Sequence, residues 1–436
     1  MTSLVMLVAG LTTSLCLAAP LCADLIQVDA AGGADFTDLP AAVAAAQEGD
    51  VLLIAPGVYS GVSIDGVSMQ LVADGVGVSI AGHVRILNLE QGQRVGLAGL
   101  EIAPPFPTFF DAFSMSLIPP ALSVLHCLGA VRIERSTILA ATLQPGDGGC
   151  SSDFGFWPAG RDALVVRSSA DVVLESVLAE GGFGWDGAGQ FLCLEQGSDG
   201  GRAVVVQDSH VDLHEVIARG ADGADQGYAG FGGNGVDVSG SSDVLLSGVI
   251  ASGGNGGDSY DFIGGPPLGN GGDGVRTELG TFVRFVGGVY SGGVKGNACC
   301  WTNFDGQGKV VDGAETTYAG GPHRFLTDSP AREGELLELS ITGAAGDSAF
   351  LIVGLDTLNV PKPGFAGAIY VATPFLLGPV GLAPMGNGIT TYNLPVPELG
   401  PSLDVFTLEM QLFVLESGGA KHLTGPAQVV LLDGGV

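Results

Sequence analysis

The sequence predicts an all-β protein: a right-handed parallel β-helix, or solenoid, with a short N-terminal capping helix and a C-terminal β-sandwich. Three observations predict this fold. A set of three short apolar strands recurs along the middle of the chain. Glycine supplies 73 of the 436 residues without a collagen period, among many β-branched residues. The repeat stops near Gly320, where strand-like runs broken by Pro and Gly begin.

The N-terminal residues 1–23 are typical of a signal peptide. Residues 4–17 form an apolar run, and Leu21-Cys22-Ala23 is a plausible cleavage site before Asp24. The run is too short for a comfortable membrane span, and no other segment could span a bilayer. We therefore expect a secreted, extracellular bacterial protein, monomeric and without a membrane span in its mature chain.

The predicted capping helix covers residues 38–49, with Thr37 or Asp38 as its cap and Gly49 as its stop. The residues that match a known opening motif are Gly33-Ala34-Asp35-Phe36, Leu39, Ala42, Gly49-Asp50-Val51 and Pro56-Gly57-Val58-Tyr59. This pattern resembles the start of the pectin-lyase-like β-helix superfamily. The resemblance implies the fold but no single activity, because the superfamily includes lyases, hydrolases, esterases and adhesins.

The internal repeat predicts the β-helix independently, over residues 24–319. The first strands of successive coils open at residues 121, 163, 203, 235 and 274, which are 42, 40, 32 and 39 residues apart. The resemblance implies coils of about 22 to 24 residues, so about 10 to 18 residues must leave each coil as a loop. These loops are residues 142–161, 182–202, 221–234, 254–273 and 293–308. Because the loops leave at equivalent points, we expect them to stack into one wall.

The C-terminal residues 320–436 form the predicted β-sandwich. Strand-like runs cover residues 336–341, 349–353, 369–372 and 406–415, without the solenoid period. The pattern between Gly334 and Gly346 resembles a sandwich appended to many secreted bacterial proteins, and implies no activity.

The charge excludes some partners. With 46 acidic and 16 basic residues the net charge is -30, which repels nucleic acid and anionic membranes. The same charge repels polyuronates unless cations bridge the two.

Aromatic residues in the loops are the candidates for carbohydrate binding, since flat rings along a solenoid wall suit a sugar chain. The alternative is a satellite apolar cluster that holds the glycine-rich loops together. The candidates are Trp157, Trp185, Tyr228, Phe231, Tyr260 and Trp301, and Phe304 lies beside the last.

Segments rich in Gly, Asn and Asp leave two interpretations open. A calcium ion could use Asp258, Asp261 or Asp273, because Ca²⁺ takes several oxygens from flexible loops. Alternatively, Asn, Asp and Gly supply positive φ in turns. Cys150 and Cys193 lie at similar depths in successive loops, which makes them a candidate disulfide.

Catalytic signatures are weak. The sequence lacks an adjacent Asp pair and the motifs of polygalacturonases and pectin methylesterases. Arg161 and Arg202 precede successive first strands, and Arg132 and Arg284 also match between coils. These arginines could form a catalytic ladder, or each could pair with a neighbouring acidic residue such as Asp162, Asp199 or Glu134.

Three functions remain open from the sequence. The first is a secreted protein that binds extracellular polysaccharide or a cell-surface component through its loop wall. The second is a polysaccharide lyase or glycoside hydrolase, which an aligned Arg and carboxylate cluster in a groove would favour. The third is a structural surface spacer.

Overall fold

The structure is a computed structural model that describes most of the chain. The described residues are 23–105, 119–141, 160–184, 198–225, 229–258, 269–297, 303–319, 321–344, 346–362, 364–372, 374–380, 388–400 and 403–435.

The capping helix α1 (Leu39–Ala45) closes the N-terminal end of the solenoid. The Asp38 carboxylate accepts a hydrogen bond from the Leu39 N–H at 2.9 Å and caps the helix. Leu39 and Ala42 are fully buried, so the helix covers apolar surface that no preceding coil could cover.

Short strands build the solenoid, and all pairings between neighbouring coils are parallel. The strands β1 to β26 are Leu25–Val28, Asp50–Ile54, Gly57–Tyr59, Val62–Asp65, Met69–Ala73, Val78–Ile80, Val84–Leu87, Arg94–Ala98, Glu101–Ile102, Leu122–Leu125, Ala130–Glu134, Thr137–Leu139, Leu164–Arg167, Asp171–Glu175, Leu178–Glu180, Val204–Gln207, His210–His214, Ile217–Arg219, Val236–Ser239, Asp243–Ser247, Ile250–Ser252, Val275–Thr277, Phe282–Val286, Val289–Ser291, Lys309–Val311 and Ala314–Tyr318.

These strands form three long sheets, and each complete coil contributes one strand to each sheet. Sheet A has the order β1-β2-β5-β8-β11-β14-β17-β20-β23-β26. Sheet B runs from β3 to β24, and sheet C runs from β4 to β25, each taking every third strand. The predicted parallel β-helix is therefore confirmed.

The core is a continuous ladder of aliphatic side chains inside the solenoid. In sheet C, Leu122 pairs with Leu164, which pairs with Val204, and all three are fully buried. Each coil covers the inner face of the next, and each buried aliphatic side chain stabilises the fold by about 1.5–3 kcal/mol.

The C-terminal strands form a sandwich. The strands β27 to β37 are Phe325–Thr327, Ala331–Arg332, Leu336–Gly343, Ser348–Gly354, Asp356–Pro361, Ala368–Ala372, Phe375–Val380, Gly388–Pro395, Val405–Leu415, Lys421–Leu423 and Ala427–Leu432. Sheet D has the order β27-β29-β34, and sheet E has the order β28-β37-β35-β30-β33, with β36 also paired to β35. Leu339 and Ile341 of sheet D pack with Leu351 and Leu412 of sheet E in a shared core. A hairpin of β31 and β32 stands beside them.

The outer face of the sandwich packs on the outer face of sheet A. Val51 and Leu53 of the solenoid pack in one buried cluster with Val405 and Val430 of the sandwich. Tyr370 of the hairpin is buried against Val173. Sheet A is therefore covered, while the loops leave the solenoid between sheets B and C.

Candidate functional site

The loops leave and rejoin the solenoid along two sets of extended segments. The outgoing arms, which follow the sheet B strands, are residues 181–184, 220–225, 253–258 and 292–297. The returning arms, which precede the sheet C strands, are residues 160–162, 198–202, 229–234, 269–273 and 303–307.

Hydrogen bonds join these arms with a period of three residues. The Gly253 N–H donates at 2.9 Å to the carbonyl of Ser291, which ends β24 just before the next outgoing arm, and the Gly254 N–H donates to Gly233 O of a returning arm at 2.8 Å. The Asn255 N–H donates to the Asp222 carboxylate of the preceding coil at 2.6 Å. Residues 256–258 repeat the three bonds in the same order. The polyproline II helix also repeats every three residues and has no internal hydrogen bonds, so the arms share its period.

Glycine is present in the arms because no side chain fits there. A Cβ on Gly254 would lie 1.9 Å from the Ala221 carbonyl oxygen, and one on Gly257 would lie 2.0 Å from Ala224 O. Neither glycine has a positive φ. The interpretation of these segments as positive-φ turns is therefore wrong: the glycines allow backbones to approach each other closely. The predicted stacking of the loops is confirmed for the described arm segments.

The returning arms and sheet C enclose a groove of about 790 Å³, which we call the arm groove. It crosses five successive returning arms, so it extends for about 19 Å at the usual strand spacing. Two columns of side chains, three residues apart in sequence, line it. The first column is Asp162, Arg202, Asn234, Asp273 and Gln307, and the second is Asp199, Phe231, Asn270 and Phe304.

Asp and Asn side chains connect each column from coil to coil. Asn234 Oδ1 accepts the Asp273 N–H at 2.8 Å, and Asp273 Oδ1 accepts the Gln307 N–H at 2.8 Å. Asn270 Oδ1 likewise accepts the Phe304 N–H at 2.8 Å. These bonds fix the arm backbone, and hence the position of each side chain in the arm groove.

Arg202 is held between two carboxylates. Its Nε and Nη2 bond both oxygens of Asp162 at 3.0 and 2.8 Å, and its Nη1 bonds Asp237 of β19 at 2.9 Å. Burial alone would lower the pKa of Arg202, but the hydrogen bonds to Asp162 and Asp237 raise that pKa above its usual value. Arg202 therefore stays protonated and cannot act as a general base.

Other groups in the arm groove remain open to solvent. Phe304 is 67% exposed, and the Arg276 side chain of β22 is exposed beside it in the groove lining. Three arginines and four aspartates line the arm groove, so its charge is nearly balanced although the whole chain carries -30. The groove thus offers aromatic surface, guanidinium donors and carboxylate and amide groups together.

The structure places only part of the predicted site. Phe231 lines the arm groove, as does Phe304. The other predicted carbohydrate-binding residues lie outside the described residues, as do both cysteines of the candidate disulfide: these are Trp157, Trp185, Tyr228, Tyr260, Trp301, Cys150 and Cys193. Among the described residues, Cys127 is a free, buried thiol.

The calcium candidates lie in different arms. Asp258 is on an outgoing arm and its Oδ1 accepts the Asn297 N–H at 2.7 Å, whereas Asp273 lines the arm groove. Asp261 lies outside the described residues. Asp258 and Asp273 each give an oxygen to the backbone of the next coil, so that oxygen already has a partner.

The register corrects one alignment from the sequence. Leu164 pairs with Val204, which places Asp162, and not Arg161, opposite Arg202. The proposed ladder of stacked Arg161 and Arg202 is therefore wrong, because the two side chains are one position apart along the coil. The alternative, an ion pair of Arg202 with Asp162, is confirmed.

A second cluster of ionisable residues lies between sheet A and the sandwich. Asp212, fully buried, accepts hydrogen bonds from Tyr370 Oη at 2.7 Å and Asn359 Nδ2 at 3.1 Å. Arg132 forms a bidentate pair with Asp171 at 2.8 and 3.1 Å. Asp212 and Asp171 are bonded by Asn359 and Tyr370 of the hairpin beside the sandwich, so we interpret this cluster as the polar part of the domain contact.

Burial strongly shifts the pKa values of two further residues of this contact. They are His214, whose Nε2 lies 2.8 Å from Tyr370 Oη, and Glu134, whose Oε1 accepts the Gln428 N–H at 2.9 Å. Burial raises the pKa of Glu134 to about 7, partly opposed by Arg135. Burial lowers the pKa of His214 to about 4. Structural ion-pair networks shift pKa values as active sites do, and no described residue of this cluster lines the arm groove.

The sequence analysis did not identify Arg276 as a groove residue or Asp237 as an ion-pair partner of Arg202. Both lie on the outward row of sheet C, where Asp237 pairs with Arg276. Alternation along the predicted strands could have found them, because Val236 and Val275 point inward beside them.

No protein-family model matches the sequence, and no curated protein matches it. The enzymatically active domain of tailspike protein 2 of bacteriophage CBA120 is 10% identical over 92% of this chain and 71% of its own, with a TM-score of 0.27. Full-length tailspike protein 2 from an Escherichia coli O157:H7 bacteriophage is 10% identical over 95% and 64%, with a TM-score of 0.23. The fold assignment therefore rests on the three parallel sheets themselves.

No helix among the described residues is long and apolar enough to cross a membrane.

Proposed function

We propose that the protein binds an extracellular polysaccharide, or a surface that displays one, along the arm groove. The observation that carries this proposal is the repetition of the groove lining. Successive returning arms present side chains at the same two positions, joined by the same bonds from coil to coil. A groove that repeats along its length suits a ligand that also repeats, such as a linear sugar chain.

The chemistry of the lining supports the same ligand class. Phe231 and Phe304 supply flat apolar rings for sugar faces, while Arg276, Asn270 and Gln307 supply polar groups for hydroxyls. The near balance of charge in the arm groove favours a neutral polysaccharide over a polyuronate, which the net charge of -30 repels. Action outside the cell is part of the proposal, and agrees with the predicted signal peptide.

The second candidate is a polysaccharide-degrading enzyme. The observation that favours it is the Arg202 cluster with Asp162 and Asp237 beside the arm groove. Their ion pairs occupy these three groups, so an acid and base would have to come from other carboxylates of the lining, such as Asp199 and Asp305.

The experiment is a retention assay on a panel of insoluble polysaccharides, with and without calcium. Phe304→Ala should lower retention at least fivefold without changing the melting temperature. The matched control is Phe183→Ala, because Phe183 is also exposed, at 51%, but lies on an outgoing arm away from the groove lining. Equal retention of both variants would exclude the arm groove as the binding site.

Product analysis on the same panel separates the two candidates. Binding alone predicts no new reducing ends and no absorbance of unsaturated products. Products that disappear with Asp199→Asn and Asp305→Asn would favour the enzyme. Absence of binding to every member would favour the structural spacer.

A further inference from the structure

Two histidines and a glutamate converge inside the C-terminal sandwich, far from the arm groove in sequence. His323 precedes β27, Glu416 follows β35, and His422 lies in β36. The Nε2 atoms of His323 and His422 lie 3.2 and 2.9 Å from the same Glu416 oxygen, Oε1. Among the described residues, this is the one group of three or more His, Cys, Asp or Glu side chains close enough to hold a metal ion.

One of these ligand atoms is buried without a hydrogen bond. The His422 side chain is 3% exposed, and its Nε2 makes no hydrogen bond of acceptable geometry despite its approach to Glu416. A buried polar atom without a partner is unfavourable, and native structures rarely leave one in that state. The atom lies within 4.8 Å of the ligand atoms of His323 and Glu416, so an ion among the three would satisfy it.

The surroundings orient His323 as a ligand. Its Nδ1 lies 3.3 Å from the Thr342 carbonyl oxygen, which can only accept a hydrogen bond. Nδ1 therefore carries the proton, and the lone pair of a neutral imidazole is on Nε2, facing Glu416. A carbonyl that holds the other ring nitrogen in this way is the usual support of a metal-binding histidine.

The distances fit a small tetrahedral cation. With metal–ligand bonds of about 2.0–2.1 Å, ligand atoms at tetrahedral corners lie about 3.3 Å apart. The two nitrogen–oxygen distances, 3.2 and 2.9 Å, are close to that value, and all three ligand atoms lie within 4.8 Å of one another. A metal ion among these atoms would accept a lone pair from each of the three groups.

We propose that His323, Glu416 and His422 bind one zinc ion, with a water at the fourth position. Two imidazoles and one carboxylate are a common zinc ligand set, and three protein ligands leave one position open. Glu416 is 20% exposed, so the open position faces the surface. The ion would tie the segment that enters the sandwich to the β35–β36 hairpin. This proposal does not depend on polysaccharide binding.

The test is zinc binding by the full chain after chelator treatment, measured by elemental analysis and titration. We expect one zinc per chain for the native protein and at least tenfold weaker binding for His422→Gln. The control is His126→Asn, which removes an exposed histidine outside the cluster and should bind as the native chain does.

Two further measurements keep the test decisive if His422→Gln does not fold. His323→Gln should show the same loss, and zinc should raise the melting temperature of the native chain and of His126→Asn but not of His323→Gln. Cobalt in place of zinc should give the intense visible absorption of a tetrahedral site. Less than 0.1 zinc per chain at micromolar zinc, or unchanged binding by both cluster variants, would overturn the proposal.

Discussion

Gly254→Ala is the substitution that tests most sharply why the loops are rich in glycine. The added methyl group would lie 1.9 Å from the Ala221 carbonyl oxygen and 2.2 Å from its carbon, where ordinary contact begins near 3.4 Å. The arms must therefore separate by more than 1 Å at this point. Overpacking of this kind costs about 1–3 kcal/mol. Separation also weakens the bonds from Gly254 N–H to Gly233 O and from Gly233 N–H to Ala221 O, at about 1 kcal/mol each.

We therefore expect Gly254→Ala to lower the free energy of unfolding by about 3–5 kcal/mol. The assay is urea unfolding followed by circular dichroism, with intrinsic fluorescence as a second probe. Gly418→Ala is the matched control, because a Cβ there meets no atom within 4 Å and the residue has no positive φ. If Gly254→Ala unfolds within 0.5 kcal/mol of Gly418→Ala, the close-packing account of the arms is refuted.

Three other predictions concern the arm groove, the domain contact and the loops. Arg202→Met should lower the free energy of unfolding by about 1–2 kcal/mol, because it leaves Asp162 and Asp237 without their cation. In the same urea assay, substitution of the exposed Arg276 by Met should lower it by less than about 0.5 kcal/mol. The pKa of Glu134 is raised from 4.5 to about 7, so the folded state keeps a proton that the unfolded state has lost between these pH values. The contribution of this Glu134 proton to the free energy of unfolding is complete below pH 4.5 and declines by up to about 3 kcal/mol as the pH rises through 7. Unfolding measured at pH 5 and at pH 7.5 should show this decline in the native protein and its absence in Glu134→Gln. Non-reducing peptide mapping should find Cys150 joined to Cys193, and free thiols at both positions would end that idea.

The solenoid could be predicted because its signal is local and repeated. Ala121-Leu122-Ser123-Val124 and Ala163-Leu164-Val165-Val166 place small and aliphatic residues at equal points of successive coils. The structure pairs Leu122 with Leu164 and buries both. Periodicity alone determines such a ladder, because each coil needs the next to cover its inner face.

The arms were harder to interpret because their period is neither that of a helix nor that of a strand. Gly253-Gly254-Asn255-Gly256-Gly257-Asp258 shows two glycines in every three residues, and the structure explains that spacing by contacts on two sides of each arm. Asn and Gly together are equally typical of turns, so composition could not distinguish positive-φ turns from closely packed extended arms.

Residues that meet across long separations in the chain could not be predicted. His323 and Glu416 are 93 residues apart, and Asp212 and Tyr370 are 158 residues apart. The first contact depends on how the sandwich strands pair, and the second depends on how the sandwich packs on sheet A. Neither arrangement leaves a periodic pattern in the sequence.

The most direct test of the proposed function is hydrogen–deuterium exchange with and without a polysaccharide that the retention assay has identified. The account predicts slower exchange in the returning arms around residues 199–202, 231–234, 270–273 and 304–307, with the outgoing arms at 220–225 and 253–258 unchanged. Protection confined to the sandwich or to the outgoing arms, with the returning arms unchanged, would contradict the assignment of the arm groove as the binding site.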